Sequence, residues 1–306
     1  FFHAEDGIRD SVASRGLGDV YKRQENITGF IVGEAFYSIQ KAAVRKLVLD
    51  DGKRLDGRGF DDMRQLISEA GMIPRTHGSG LFARGETQGL SLVTLGTTDD
   101  TQSYDAYTGG PNEKRFMLHY NFPNFSVGET GRIMGPGRRE IGHGALAERS
   151  IAPVIPNIED FPYAVRITAE IMESNGSTSM AAVCSGTLAL LDAGVPLKRS
   201  VAGISIGLCT RTNDNKEIEA YKLLTDIIGW EDAFCDMDCK IAGTDQGITG
   251  LTQVERSTSM DIMETTLNSW LGQNVLEINL SDGSLGFTQT PSPCPNSFRQ
   301  LAQTDN

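Results

Sequence analysis

The chain has 306 residues, 39% of them hydrophobic, and a formal net charge of −12 at pH 7. That length suits one large domain or two modest ones with a sizeable core. No apolar run approaches a membrane span and no charged-then-apolar signal peptide opens the chain.

The acidity argues against indiscriminate nucleic-acid binding, but the charge is unevenly placed. Residues 114–149 carry six basic residues against three acids, while residues 209–306 carry six against fifteen. A basic segment in an acidic protein suits a localised phosphate-binding surface. The five cysteines (Cys184, Cys209, Cys235, Cys239, Cys294) are odd in number and point to reduced thiols in a cytosolic compartment. Cys235 and Cys239 lack partners at zinc spacing, which excludes a zinc site.

Residues 1–24 mix Gly, Asp and Arg without apolar periodicity, read as a non-native, adapter-like leader, and are set aside. From Glu34 to Leu49, the spacing of Phe36, Ile39, Ala43 and Leu47 predicts an amphipathic helix, which Asp50-Asp51-Gly52 stops. Leu81–Arg84 and Leu90–Leu95 read as strands joined through Gly85-Glu86-Thr87-Gln88. Residues 99–113 read as loop, Phe116–Tyr120 as strand, Asn121–Gly137 as irregular, and Ile141–Arg149 as helix. Arg138 and Arg139, after a glycine turn, could fork onto phosphate oxygens or simply be solvated.

The central stretch follows. Val165, Ile167, Ala169 and Ile171 alternate with polar residues as in a half-buried strand. Asn175-Gly176 breaks it, Ser177 is expected as N-cap, and Met180, Cys184, Leu188 and Leu191 recur at helical spacing until Gly194 and Pro196. Small residues (Ala181, Ala182, Ser185, Gly186) predict close packing of this helix on a sheet. Ser177, Thr178 and Ser179 therefore sit where free backbone amides and the helix dipole favour an anion. Common capping preference would also account for such hydroxyls.

Val201–Leu208 reads as a buried strand and Thr212–Glu217 as a polar hairpin turn without calcium-loop spacing. From Asp236 the pattern alternates, so Asp236, Asp238 and Lys240 would share one strand face, opposite Met237, Cys239 and Ile241. Asp232, from the preceding loop, could complete a two-carboxylate magnesium site that keeps most of its waters. A solvated face with an internal ion pair is the other reading. Ser259–Leu267 could form a helix, and residues 268–306 read as a tail without consistent periodicity.

A series of motifs resembles the polynucleotide phosphorylase family, in particular its second RNase PH-like core domain. They are Asp56-Gly57-Arg58, Pro74–Ser79, Arg84-Gly85-Glu86-Thr87-Gln88, Phe116–Pro123, Gly137–Gly144, Glu173–Ser177 and Asp236–Lys240. The resemblance runs from about residue 25 to 265. It implies an α+β fold, a mixed sheet backed by helices, with the end of an all-helical linker domain at 25–52, a catalytic core at 53–267 and a divergent tail at 268–306. The chain is expected to be a fragment carrying the catalytic half, without the family's first core domain or its KH and OB-fold domains.

The resemblance further implies 3′-to-5′ phosphorolysis of RNA to nucleoside diphosphates, and the reverse polymerisation. Ser177, Thr178 and Ser179 inherit phosphate binding. Asp232 and Asp238 inherit the magnesium ion (manganese as an alternative), with Lys240 beside them as a catalytic group. Arg138 and Arg139 inherit phosphate and RNA contacts, and His143 an RNA contact. The expected partners are an RNA 3′ end, inorganic phosphate, a trimeric ring of like chains and RNA-degradosome proteins, in the cytoplasm and away from membranes. Alternatives are a stand-alone RNase PH-type trimming of tRNA 3′ ends, or a catalytically silent RNA-binding ring subunit. Thr178 replaces a common serine, which should keep the anion site. Cys235 replaces a glycine, which is expected to crowd the metal loop.

Overall fold

The helix after the Asn175-Gly176 turn, α3 (Thr178–Asp192), is the axle of the molecule, buried on every side from Thr178 to Leu190. The structure, a computed structural model, describes residues 28–103, 113–132, 135–213, 218–255, 275–279 and 284–288. A helix apolar on all faces must be enclosed, and α3 lies between two sheets. The first is five-stranded, in the order β1-β2-β3-β7-β6: β1 (Leu66–Ala70), β2 (Gly78–Arg84), β3 (Thr87–Gly96), β6 (Phe116–Asn121) and β7 (Ala164–Glu173). The minor strands β4 (Gln102–Ser103) and β5 (Glu113–Lys114) pair with each other. All neighbours in the large sheet are antiparallel except β6 and β7, which run parallel. The second sheet has the order β11-β10-β8-β9: β8 (Ala202–Thr212), β9 (Ile218–Thr225), β10 (Met237–Thr244) and β11 (Gly247–Glu255), all antiparallel.

Missing side chains allow this close sandwich. A Cβ at Gly80 of β2 would come within 2.5 Å of the Ser185 carbonyl oxygen, and one at Gly203 of β8 within 2.7 Å of Met180 Sδ. The small-residue packing predicted for α3 is found against the first sheet, where Ser185 and Ala181 face Gly89, while on the second sheet the strand's glycine makes room for Met180. Helix α2 (Arg138–Ile151) runs beside α3, and Leu146, Ala147 and Ile151 join Val165, Ile167, Ala169, Met180, Val183 and Leu190 in the largest core cluster. Each large apolar side chain buried this way contributes about 1.5–3 kcal/mol.

The chain's helix α1 (Gly29–Leu49) begins earlier than predicted, after Thr28, whose side chain accepts from the Ile31 amide. Its buried stripe also differs. Ile39 is 67% exposed, while Val48 is fully buried beside Cys209, Leu224, Ile227 and Cys235. The cause is polar: Tyr37 donates to the Ala233 carbonyl and Arg45 pairs with Asp236 at 2.8 Å, which turns the helix onto that edge.

Other expectations shift in detail. Arg84 pairs directly with Thr87, so the β2–β3 turn is only Gly85-Glu86, with Gly85 at φ +53°, and Thr87 and Gln88 already belong to the strand. Strands β8 and β9 pair antiparallel on either side of residues 214–217, which lie outside the described residues. Beyond Glu255, strands β12 (Val275–Asn279) and β13 (Ser284–Thr288) pair antiparallel where no periodicity was read. The leader at 1–24 and the candidate helix at Ser259–Leu267 fall outside the described residues. Among those described, no helix is long and apolar enough to cross a membrane.

Candidate functional site

The turn before α3 is built differently from a simple cap. Ser177 stands at the N-cap position, but in the left-handed region (φ +50°), and its side chain makes no capping bond. Gly176 precedes it at φ +96°, where a Cβ would collide with the Ile227 carbonyl. The Asn175 side chain locks the same contact, accepting from the Gly229 amide at 3.1 Å and donating to Glu86 at 2.6 Å.

The carbonyls of this turn are held from behind. Arg64 donates to the Asn175 carbonyl at 2.6 Å. Thr87 and Arg84 donate to that of Gly176 at 3.0 and 3.1 Å, and Arg84 also to that of Ser177 at 3.3 Å. Both arginines are anchored on the buried Asp226, as is Arg58, at 2.8, 2.6 and 3.2 Å for Arg64, Arg84 and Arg58. Burial works to raise the Asp226 carboxyl, but Arg84 and Arg64 outweigh it and hold it at about 2. Asp226 itself takes a left-handed backbone, φ +53°. Sequence reasoning missed this cage, because nothing in local spacing marks Arg58, Arg64, Arg84 and Asp226 as neighbours. In the sequence Arg58, Arg84 and Thr87 stand out only as members of the Asp56-Gly57-Arg58 and Arg84–Gln88 motifs.

With its carbonyls engaged, the turn directs its free amides the other way, as trans peptides require. The three hydroxyls differ. Thr178 accepts from the buried Tyr120 hydroxyl at 2.7 Å and keeps its own hydrogen to donate. Ser177 Oγ and Ser179 Oγ are buried and lack a partner among the described residues. Orphaned buried hydroxyls are uncommon, and two side by side suit the binding of a polar group.

Asp238 and Lys240 lie on the side of the second sheet that faces α3. Their partners across β8 are Gly207 and Ser205, and two residues on, Ala242 pairs with Gly203, which packs on Met180. Gly207 touches the Ile227 side chain, and Ile227 abuts Gly176, so contacts run from the Ser177 turn to the Asp238 position. Lys240 Nζ pairs with one oxygen of Asp238, while the other, Oδ1, is buried without a partner, as is Ser205 Oγ. Asp236 is committed elsewhere. It precedes β10 and is buried by Arg45 and by the Thr210 amide and hydroxyl, which makes it a structural ion pair.

Asp232 sits on a short helix, α4 (Gly229–Phe234), where a loop was expected. Glu231 creates that turn: its carboxylate accepts from the Ile228 amide at 3.1 Å and pairs with the buried Arg54 at 2.6 Å. Asp232 is half-buried on the same helix whose start docks on Asn175. Among the described residues, no group of three or more His, Cys, Asp or Glu could hold a metal. Carboxylate oxygens suit magnesium, which retains waters and substrate oxygens, and Asp238 Oδ1 is buried without a partner among the described residues. Cys235, just before β10, places its sulfur 3.7 Å from where a Cβ of Gly207, the partner of Asp238, would stand. Its thiol hydrogen-bonds to that of Cys209, beneath α1, and Cys184 and Cys239 are likewise buried and free.

His143 of α2 stacks edge-on against Tyr120 (5.4 Å between centroids). Burial, helped by the charges of Arg139 and Lys240, pushes its imidazole down to about 3. Arg138 and Arg139 are exposed at the start of α2, where Gly137 supplies no side-chain cap, and the Arg139 guanidinium lies 5.1 Å from the Phe122 ring. Cations at a helix N-terminus oppose its dipole, which a bound anion would relieve. One surface therefore collects Ser177, Thr178, Ser179, Tyr120, His143, Lys240 and Asp238, with Arg139 and Phe122 at its margin.

A family model described as "3' exoribonuclease family, domain 1" matches residues 62–196. The polyribonucleotide nucleotidyltransferase of Akkermansia muciniphila is 56% identical over 244 residues, 79% of this chain and 34% of its own length. That of Opitutus terrae is 59% identical over 215 residues, 70% and 30%, and that of Bacillus subtilis 56% over 220 residues, 72% and 30%. The fold matches the crystal structure of rice (Oryza sativa) Rrp46 with a TM-score of 0.54 at 18% identity, over 71% of this chain and 92% of that one. The chain spans about a third of the length of the curated relatives it matches. Residues 62–196 thus match the 3′ exoribonuclease family, and the chain has an RNase PH-like fold similar to part of the polyribonucleotide nucleotidyltransferases.

Proposed function

We propose that this domain degrades RNA from its 3′ end by phosphorolysis, releasing nucleoside diphosphates, and catalyses the reverse polymerisation. One observation carries the reading. The hydroxyls of Ser177 and Ser179, at the start of α3, and one oxygen of Asp238, on the sheet packed against that helix, are buried polar atoms without a partner among the described residues.

Inorganic phosphate is already an anionic nucleophile, so positioning and charge stabilisation matter more than a strong base. Ser177, Thr178 and Ser179 hold the attacking phosphate with their hydroxyls and amides. One of its oxygens bonds to the phosphorus of the last internucleotide linkage. The bond from that phosphorus to the 3′ oxygen of the preceding nucleotide breaks, that oxygen takes up a proton, and the diphosphate leaves. Asp232 and Asp238 would hold magnesium (or manganese), which supplies charge stabilisation at the departing oxygen. Lys240 offsets charge on the scissile phosphate, and Arg138 and Arg139 grip RNA or phosphate oxygens. His143, neutral across the working pH range, serves as a hydrogen-bonding contact for RNA. Ring assembly with like chains, degradosome partners and a cytoplasmic setting belong to the same proposal.

The test is incubation of the purified chain with oligo(A) and magnesium, with and without phosphate. Phosphate-dependent release of ADP supports the reading. RNA retention without release favours a silent binding subunit, and shortening that ignores phosphate overturns it.

A further inference from the structure

The hydroxyl of Thr87 occupies an unusual place. It is fully buried at the start of β3, opposite Arg84 in the hairpin, and it bonds twice to the turn before α3. It accepts from the Asn175 amide at 3.1 Å and donates to the Gly176 carbonyl at 3.0 Å, and it also accepts from Arg64 Nη1 at 3.5 Å, so its one hydrogen and both lone pairs are used. Arg84 shares the Gly176 carbonyl and Arg64 holds that of Asn175, but both reach the turn through long side chains fixed on Asp226. Thr87 is the short, rigid element of the cage. A β-branched side chain on a strand has little χ1 freedom, so its oxygen is a fixed point.

We infer that Thr87 is a positioning residue for phosphate. By clamping the amide of Asn175 and the carbonyl of Gly176, it sets the peptide planes that place Ser177 in its left-handed conformation with amides and hydroxyls facing the anion. The inference rests on the reading above that this turn holds phosphate. Gly176 makes the geometry demanding. It lies at φ +96° against the Ile227 carbonyl, so the turn has no room to relax on that side and the orientation of its carbonyl depends on the donors behind it. Thr87 touches neither substrate nor reacting atoms. Its effect passes through the backbone.

The experiment is calorimetric titration of inorganic phosphate into the full chain and three variants, well below all unfolding temperatures. Thr87→Val keeps the shape and removes both bonds to the turn, along with the longer one from Arg64. Thr87→Ser restores the hydroxyl. Ser91→Ala removes a buried hydrogen bond elsewhere on β3, between Ser91 Oγ and Ser185 Oγ at 2.7 Å, without touching the turn. Thr87→Val is expected to weaken phosphate binding about tenfold, as the loss of two modest hydrogen bonds implies. Thr87→Ser should stay within about twofold of the parent and Ser91→Ala should match it, even where its unfolding temperature falls as far. Should Thr87→Val not fold, Thr87→Cys, with similar volume and only a weak donor, takes its place.

The outcomes separate the two ideas. A parent chain that binds no phosphate overturns the phosphate reading and this inference with it. A parent that binds, with a Thr87→Val or Thr87→Cys variant that binds equally well, overturns the inference alone. A Ser91→Ala variant as weak as Thr87→Val reduces the effect to general stability and overturns it as well.

Discussion

Tyr120 and Thr178 are 58 positions apart in the chain, yet their hydroxyls are 2.7 Å apart and buried. This bond ties the last residues of β6 to the first turn of α3, and it assigns the three hydroxyls of the turn to different tasks. Burial pushes the Tyr120 phenol above its ordinary value, against the opposing pull of Thr178, so the phenol remains a donor at any working pH.

Replacing Tyr120 with Phe removes that donor and keeps the ring that packs against His143. The expected cost is about 1 kcal/mol in urea unfolding, the typical net worth of one hydrogen bond. Phosphate KM should rise while kcat changes less, because Thr178 is then free to rotate. Unchanged KM would remove Tyr120 from the site's architecture.

Gly176→Ala should be far more damaging than its one added methyl suggests. The new Cβ meets the Ile227 carbonyl, and alanine resists φ +96°. A loss of about 2 kcal/mol or more, together with loss of phosphate binding, is expected in thermal unfolding and titration. A variant as stable as the parent would mean the turn can adopt another conformation.

The Asp226 cage should give the domain an acid-sensitive step. The folded carboxyl sits at about 2, below the roughly 4 of an unfolded chain. Its contribution is therefore complete above pH 4 and is lost as the pH falls toward 2. Unfolding free energy should drop by about 2 kcal/mol over that window on this account. Carbon-detected NMR titration of the Asp226 carboxyl measures it directly, and a midpoint near 4 would contradict the cage.

His143 should not titrate near neutrality. Its imidazole is held at about 3 by burial, then by Arg139 and Lys240. The sign is that of a depressed group: neutral His143 is favoured by folding above the unfolded value of about 6.5, and that contribution is lost as pH falls toward 3. A histidine NMR titration is the check, with an inflection between about pH 6 and 7 as the contrary result.

Asp238→Asn keeps the volume and removes the charge next to Lys240. The fold should survive, since β10 is held by strands on both sides. Magnesium-dependent release of diphosphates should fall by at least about a hundredfold, the scale of losing a metal that stabilises a leaving oxygen. Near-parent rates would remove Asp238 from the metal site.

Local pattern was enough to find the strand at 164–173, the turn at Asn175-Gly176 and the helix behind it, because alternation, a glycine break and helical spacing are written in neighbouring residues. It also singled out Ser177–Ser179, Arg138, Arg139, Asp238 and Lys240, since their residue types are chemically distinctive. It offered Asp236 beside Asp238 and Lys240, because strand alternation cannot anticipate that Arg45, 191 positions away, would claim the carboxylate. It likewise chose Ile39 for the buried face of α1, where Tyr37 and Arg45 set the rotation instead.

The sequence by itself determined the elements and the reactive side chains, which depend on interactions among near neighbours. Only the tertiary structure decided what holds them in place: the arginines on Asp226, the clamp of Thr87, and the Tyr120 hydroxyl on Thr178. Those contacts join residues tens to more than a hundred positions apart, and burying a charge or hydroxyl is favourable only when a partner from elsewhere arrives to meet it.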